Sequence, residues 1–200
     1  MFSQISGNLD TKPNFSSPNF LKNGNLKQRK IWEEIKRHSI FDSISKYGPV
    51  FAGTVPLEID IDESDVDILC SYKDSEEFKL ELGTSFSRFY DFEIEEKNFQ
   101  NLATIITRFR IENFKYEIFA QPIPVESQMG FVHMIVEHRI LTFAVPEFGE
   151  KIKDLKLRGR TTEQAFCDLL RIDEDPYEYL FELRTWSDPE IKNLILQKGF

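Results

Sequence analysis

Isoleucines fall at positions 31, 35, 40 and 44 of the segment from Leu26 to Tyr47, with Trp32 beside them and polar residues filling most of the gaps. That spacing predicts one or two amphipathic helices, which Gly48-Pro49 ends. PVFAG (49–53) is short, apolar and closed by Gly, as a buried strand would be, and VDILCSY (66–72) predicts a second strand. A helix is expected over 74–89. In DFEIEEKNF, NLATIITRFRI and FKYEIFAQP polar and apolar residues alternate over much of the length, predicting a β-meander that turns at Asn98 and Asn113 and stops at Pro122 and Pro124. The remaining chain reads as helices over 125–144, 147–158, 161–171, 176–184 and 189–198. Pro146, Gly159, Pro176 and Pro189 separate them, and Thr161 and Ser187 are the expected N-caps.

The order helix, strand, loop, strand, helix, three strands, helices predicts an α/β (α+β) fold with a helical C-terminal half. Residues 1–25 are polar, carry Asn, Ser, Pro and Gly without periodicity, and read as a flexible lead-in. Residues 26–200 are expected to form a single unit, with an αβ core over 26–124 and a helical part over 125–200. There is no internal repeat and no low-complexity tract.

Composition narrows the function. Two hundred residues, 40% hydrophobic and including 19 Phe, suffice for a real core. A net charge of −9 argues against a protein that coats nucleic acid, which needs a surplus of Lys and Arg. Cys70 and Cys167 are far apart without metal-ligand spacing, and Cys70 in VDILC reads as a small buried hydrophobe. The first residues lack the basic start and apolar stretch of a signal peptide, and no apolar run approaches membrane-spanning length. A cytoplasmic location is expected.

The chemistry concentrates in GTVPLEIDIDESDVD (53–67), which packs six carboxylates into its last ten positions. As a calcium loop it fails, because Asp65 stands where Gly is needed and Ser71 where a bidentate Glu is needed. Glu58, Asp60, Asp62 and Glu63 read as a solvated loop. Asp65 and Asp67 differ, since apolar residues interleave with them and follow them. At i and i+2 of a strand they share a face, where unpaired negative charge is costly and a divalent cation with hard oxygen ligands, Mg²⁺, is the simplest partner. Glu117 is a third candidate, inside the otherwise apolar FKYEIFA. It either joins that site or pairs across the ladder with Arg108 or Arg110. Upstream, Gly53-Thr54 ends the first strand, where Gly lets backbone N–H groups approach a phosphate and Thr adds a donor.

Strand, Gly-Thr, loop, Ser-Asp-x-Asp, then Glu in a later strand resembles the polymerase-β-like nucleotidyltransferase superfamily. More closely, GTVPLEIDIDESDVDILC, YEIFAQPIPVESQ, FVHMIVEHRIL and LKLRGRTTEQAF resemble an uncharacterised family of nucleotidyltransferase-like domains of unknown function, over roughly residues 28–185. The resemblance implies a mixed β-sheet flanked by helices. It implies that Asp65, Asp67 and Glu117 hold Mg²⁺ (or Mn²⁺) as the catalytic carboxylates, with Glu117 also helping to deprotonate the acceptor. It implies that Gly53, Thr54 and Ser64 contact the nucleotide phosphates, and it directs attention to Lys156 and Arg160 as nucleotide-binding cations. The superfamily loop often carries Gly and basic residues where this chain has Glu58, Asp60, Asp62 and Glu63, which should repel a triphosphate. In FVHMIVEHRIL, His133 and Glu137 are one helical turn apart and could pair, and Arg139 could reach an anion. The reading is a nucleotidyltransferase moving NMP from an NTP to a hydroxyl-bearing small molecule or protein. The alternative is a non-catalytic nucleotide-binding or regulatory protein, or an antitoxin-type partner, that keeps the fold.

Overall fold

The computed structural model describes residues 14–200. Helix α1 (Leu26–Arg37) starts at Asn25, whose side chain and that of Gln28 cap each other's backbone N–H groups, and it buries Ile31 and Ile35. A short α2 (Ile40–Ser43) follows, then strands β1 (Val50–Ala52) and β2 (Val66–Ser71) and helix α3 (Ser75–Phe86), capped by Asp74. The meander is β3 (Tyr90–Phe99), β4 (Leu102–Ile111) and β5 (Phe114–Gln121). Five helices complete the chain: α4 (Met129–Phe143), α5 (Pro146–Leu157), α6 (Thr162–Leu170), α7 (Pro176–Leu183) and α8 (Asp188–Gln197). Thr161 caps α6 as expected, reciprocally with Gln164, and at the start of α8 the Ser187 N–H and hydroxyl both donate to Glu190.

The strands form one mixed sheet in the order β1-β2-β5-β4-β3, in which only β2 and β5 run parallel. Alternation along β2 sends Val66, Ile68 and Cys70 to one face, where they are wholly buried among residues of α1, α2 and α3. Phe86, Phe109 and Tyr116 stack in this layer, with ring centroids 4.8 and 5.2 Å apart. The other face carries Leu69, Val50 and Ala52 against Met134 and Ile140 of α4 and the helices beyond it. The candidate chemistry lies on this second face.

Three expectations are corrected. Residues 14–25 are not a loose lead-in: Phe15 and Leu21 are buried, and the Phe51 N–H donates to the Phe15 carbonyl at 2.8 Å, while the earlier part of that lead-in lies outside the described residues. Asn98 does not turn the chain; it pairs with Ala103 inside the ladder, and the reversal falls at Gln100-Asn101, both with positive φ. The segment from 125 begins as a short 3₁₀ turn, and the α-helix starts only at Met129, after Gln128 has turned its side chain to donate to the Cys70 carbonyl at 2.7 Å. Among the described residues no helix is long and apolar enough to cross a membrane.

Candidate active site

Register builds the site. Ala52 pairs with Asp67, Asp67 with Glu117, Glu117 with Arg108, and Arg108 with Glu93, so one row of five strands carries four charged side chains on a single face. The neighbours of Asp67 and Glu117 in sequence, Val66, Ile68, Tyr116 and Ile118, point the other way into the core. Alternation in two apolar strands therefore leaves these carboxylates side by side under the C-terminal helices.

A cleft of about 320 Å³ opens above them. Gly53, Thr54, Asp67 and Glu117 form its floor and rim, and α4, α6 and α7 supply the opposite wall with His133, Glu137, Glu163 and Tyr177. Gly53 has φ +72°, and a Cβ placed on it would lie 1.9 Å from Asp67 Oδ2. The backbone can pass over the Asp67 carboxylate only because this residue is glycine. Burial pushes the Asp67 carboxyl up to about 7, Glu117 and Asp65 push it further in the same direction, and Lys156 opposes them.

Asp65 is not in this cleft. It lines a neighbouring hollow with Arg108, Lys115 and Tyr116, and its Oδ1 is buried without a hydrogen-bond partner among the described residues. Glu117 makes the cross-ladder pair, Arg108 Nε donating to Glu117 Oε2 at 2.8 Å, and its carboxylate also lines the cleft beside Asp67. Arg110 instead donates to Asp91 at 3.2 Å.

The acidic loop is less exposed than expected. Glu58, Asp62 and Glu63 face solvent, but Asp60 is only 10% exposed and pairs with Lys27 at 2.9 Å. Lys27 also donates to the Ile61 carbonyl at 2.8 Å, and the Ile61 N–H donates to Ser64 Oγ at 3.0 Å. Lys156 reaches across from α5 to the Ile59 carbonyl at 3.0 Å and to Ser64 Oγ at 3.4 Å. Burial pulls the Lys156 ammonium down, against the attraction of Asp60, Glu137 and Asp67. Ser64 and Lys156 thus hold the loop beside the cleft and do not line it. Arg160 is farther from the expected role, because Asp168 takes its guanidinium in two bonds of 2.7 and 2.6 Å.

The helical wall is where sequence reasoning fell short. His133 does not pair with Glu137; its Nε2 donates to the Tyr177 carbonyl at 3.0 Å and its Nδ1 lies 3.4 Å from Glu163. Burial pushes the Glu163 carboxyl up, but its hydrogen bonds, that to His133 first, outweigh burial and leave it lowered. Glu137 is 4% exposed, and burial, with Glu163 adding to it and Lys156 opposing, pushes its carboxyl up to about 8. Arg139 reaches the Trp186 carbonyl at 2.6 Å and Asp188 at 2.8 Å, tying α4 to α8. The signal for Glu137 was its place in the apolar run FVHMIVEHRIL; Glu163, in the first turn of a capped helix, resembled an ordinary dipole-complementing acid.

The magnesium expectation can be tested on these donors. A buried Asp67 carboxylate crowded by Glu117 on the neighbouring strand fits a hard divalent cation. Among the described residues no three such side chains converge as a ready cage. Mg²⁺ commonly takes only one or two carboxylates, the rest of its shell coming from water and substrate phosphate, so the donors present suit it.

Comparison with known proteins agrees with this architecture. The polymerase core of TRAMP, an RNA surveillance complex, superposes with a TM-score of 0.51 at 10% identity, covering 88% of this chain and 58% of the other. The Cid1 poly(U) polymerase with Mg and 3′-dATP bound gives 0.50 at 9% identity, covering 82% and 52%. The chain therefore spans little more than half the length of these structures, and at such identity the likeness is one of fold: that of the polymerase-β-like nucleotidyltransferases. No curated protein matches the sequence. Residues 33–183 match the domain of unknown function DUF4269, and the chain belongs to that family.

Proposed function

We propose that the protein is a Mg²⁺- or Mn²⁺-dependent nucleotidyltransferase that moves NMP from an NTP to a hydroxyl acceptor. The observation that carries this reading is the pairing of Asp67 with Glu117 on parallel neighbouring strands, opening into a cleft rimmed by Gly53-Thr54, within a nucleotidyltransferase fold. That a neighbour of this fold was solved with Mg and a nucleotide supports it.

Asp67 would hold the metal with Glu117 beside it, while Asp65, expected from the sequence to join them, lines the neighbouring hollow and would add negative charge rather than a ligand. Bound there, the cation would neutralise the triphosphate and stabilise the attacking and leaving oxygens of the displacement. Gly53 and Thr54 orient the phosphates at the cleft rim. The Thr54 hydroxyl makes no hydrogen bond among the described residues, while Ser64, Lys156 and Arg160 are engaged elsewhere. Arg108 steadies Glu117 through Oε2, which leaves Oε1 to accept the acceptor's proton. As the acceptor oxygen bonds to the α-phosphorus, the bond to the departing pyrophosphate breaks. Ser64 and Lys156 act indirectly, by fixing the loop that enters β2.

A second reading also has an observation behind it. Among the described residues no Lys or Arg lines the cleft, and four carboxylates do, which suits a protein that binds nucleotide weakly or serves as a non-catalytic, regulatory or antitoxin-type partner. Radiolabelled NTPs incubated with cell extract, Mg²⁺ or Mn²⁺ and the protein separate the two. A labelled acceptor that is lost with Glu117→Gln supports transfer. Tight NTP binding without any labelled product supports the second reading.

A further inference from the structure

The half of the cleft away from Asp67 has its own unbalanced chemistry. Glu137 lies in the middle of α4, is 4% exposed and faces the cleft, yet among the described residues no group donates to its carboxylate or accepts from it. Ionised, it lacks a donor; neutral, it lacks an acceptor. Its oxygens are not among the wholly occluded ones, so they open onto the cleft, where a ligand can supply the missing partner. Glu163 stands near enough to repel it. Lys156 is the cation that attracts it, but that ammonium is committed to the Ile59 carbonyl and Ser64. His133 is committed as well, one ring nitrogen to the Tyr177 carbonyl and the other toward Glu163.

The walls beside Glu137 are not those of an ion cage. Phe99, Phe119, Met129 and Tyr177 line the same cleft. Aromatic faces attract organic cations, and thioethers pack against carbon. A volume of about 320 Å³ admits a small organic molecule rather than a bare hydrated ion alone.

We propose that the acceptor is a hydroxyl-bearing amine, whose ammonium group is held by Glu137 with Glu163 beside it while its hydroxyl faces Glu117. This rests on the transferase reading for the hydroxyl's role, but binding of the amine itself does not. The excess of carboxylates, which disfavours a triphosphate in this half of the cleft, selects for a positively charged acceptor there. The charges of the two substrates then sort them into the two halves.

The test is calorimetric titration of the full chain, without metal or NTP, using glucosamine and 1,3-diamino-2-propanol against the neutral glucose and glycerol, with Mn²⁺ alone as a separate arm. Expected is saturable binding of the amines and none of the neutral compounds, with affinity reduced about tenfold or more in Glu137→Gln and lowered in Glu163→Gln. Melting curves show that each variant is folded, and two variants guard against one of them failing to fold. Equal binding of glucose and glucosamine, or no amine binding by the wild type, overturns the proposal. So does amine affinity unchanged in Glu137→Gln, including the case in which that variant loses Mn²⁺ binding instead. A wild type that binds amines but never binds an NTP with Mn²⁺ would defeat the transferase reading and leave the cation site standing.

Discussion

Asp67 Oδ2 rests against the backbone of Gly53, at a position where a Cβ on that residue would stand only 1.9 Å away. The end of β1 and the carboxylate of β2 are thereby fitted to each other: a positive φ at Gly53 clears the carboxylate, and the carboxylate forbids a side chain. Gly53→Ala meets both obstacles. It should destabilise the fold by about 1–3 kcal/mol and displace Asp67, read as a lower urea midpoint together with loss of the Mg²⁺-induced rise in melting temperature. A fully stable Gly53→Ala protein that still responds to Mg²⁺ would contradict the fit described for these two residues.

Crowding of carboxylates gives a second expectation. Asp67 is held up at about 7 by burial first and by Glu117 and Asp65 after that, so removing its charge relieves repulsion. Asp67→Asn should melt at or above the metal-free wild type and should lose most of the stabilisation that millimolar Mg²⁺ or Mn²⁺ confers on the wild type by mass action. Equal metal-induced shifts in the two proteins would remove Asp67 from the metal site.

Arg108 is the counter-charge on the other side of Glu117, with Glu93 and Glu95 also within 3.4 Å of its guanidinium. Its side chain is 37% exposed, so the ion pairs themselves are screened. Arg108→Gln should cost about 1 kcal/mol without metal, and Mg²⁺ should restore more stability to it than to the wild type, because Glu117 then lacks its own cation. Melts with and without MgCl₂ decide this; a variant whose metal response is no larger than the wild type's would show that Glu117 is not coupled to the metal.

A pH effect is expected far from the cleft. Burial pushes the Glu34 carboxyl from an ordinary 4.5 to about 7, against the Tyr116 hydroxyl that donates to it at 3.0 Å. The folded chain thus binds the proton more tightly than the unfolded one. The associated stability is complete below about pH 4.5 and is lost as pH rises through about 7. Glu34→Gln keeps an acceptor for Tyr116 and cannot ionise. Relative to the wild type it should gain about 1–2 kcal/mol at pH 8.5 and little at pH 4.5, by urea unfolding at the two pH values. A gain of equal size at both would mean that ionisation of Glu34 is not its source.

Much of this architecture was legible in the chain, and the reasons for the gaps are physical. Alternation through VDILC and FKYEIFA was enough to set Asp67 and Glu117 on buried strands with their side chains away from the core. Parallel register, which makes them direct neighbours, is a property of the assembled sheet. The Arg108 alternative for Glu117 was visible because both residues lie one hairpin apart, and pairing there leaves the carboxylate on the cleft. Ser64 and Lys156 were misplaced for another reason: their partners are a backbone N–H and a backbone carbonyl, which every residue possesses and no sequence pattern marks. Arg160 is bound by Asp168, whose place on the next helix is set by packing and not marked in the sequence. The opposing wall was hidden most deeply, since it depends on how α4, α6 and α7 fold back over the sheet. Likewise Phe15 and Leu21 lie in a polar stretch whose lack of periodicity masked two buried anchors.

The most direct test of the central claim is a crystal of the full chain grown with Mn²⁺ and a non-hydrolysable NTP, with the metal located by its anomalous signal. The expected result is Mn²⁺ on the Asp67 carboxylate, with the triphosphate against Gly53-Thr54 and Glu117 facing the α-phosphate. Nucleotide bound elsewhere, or metal seated away from Asp67 while nucleotide occupies the cleft, would contradict it.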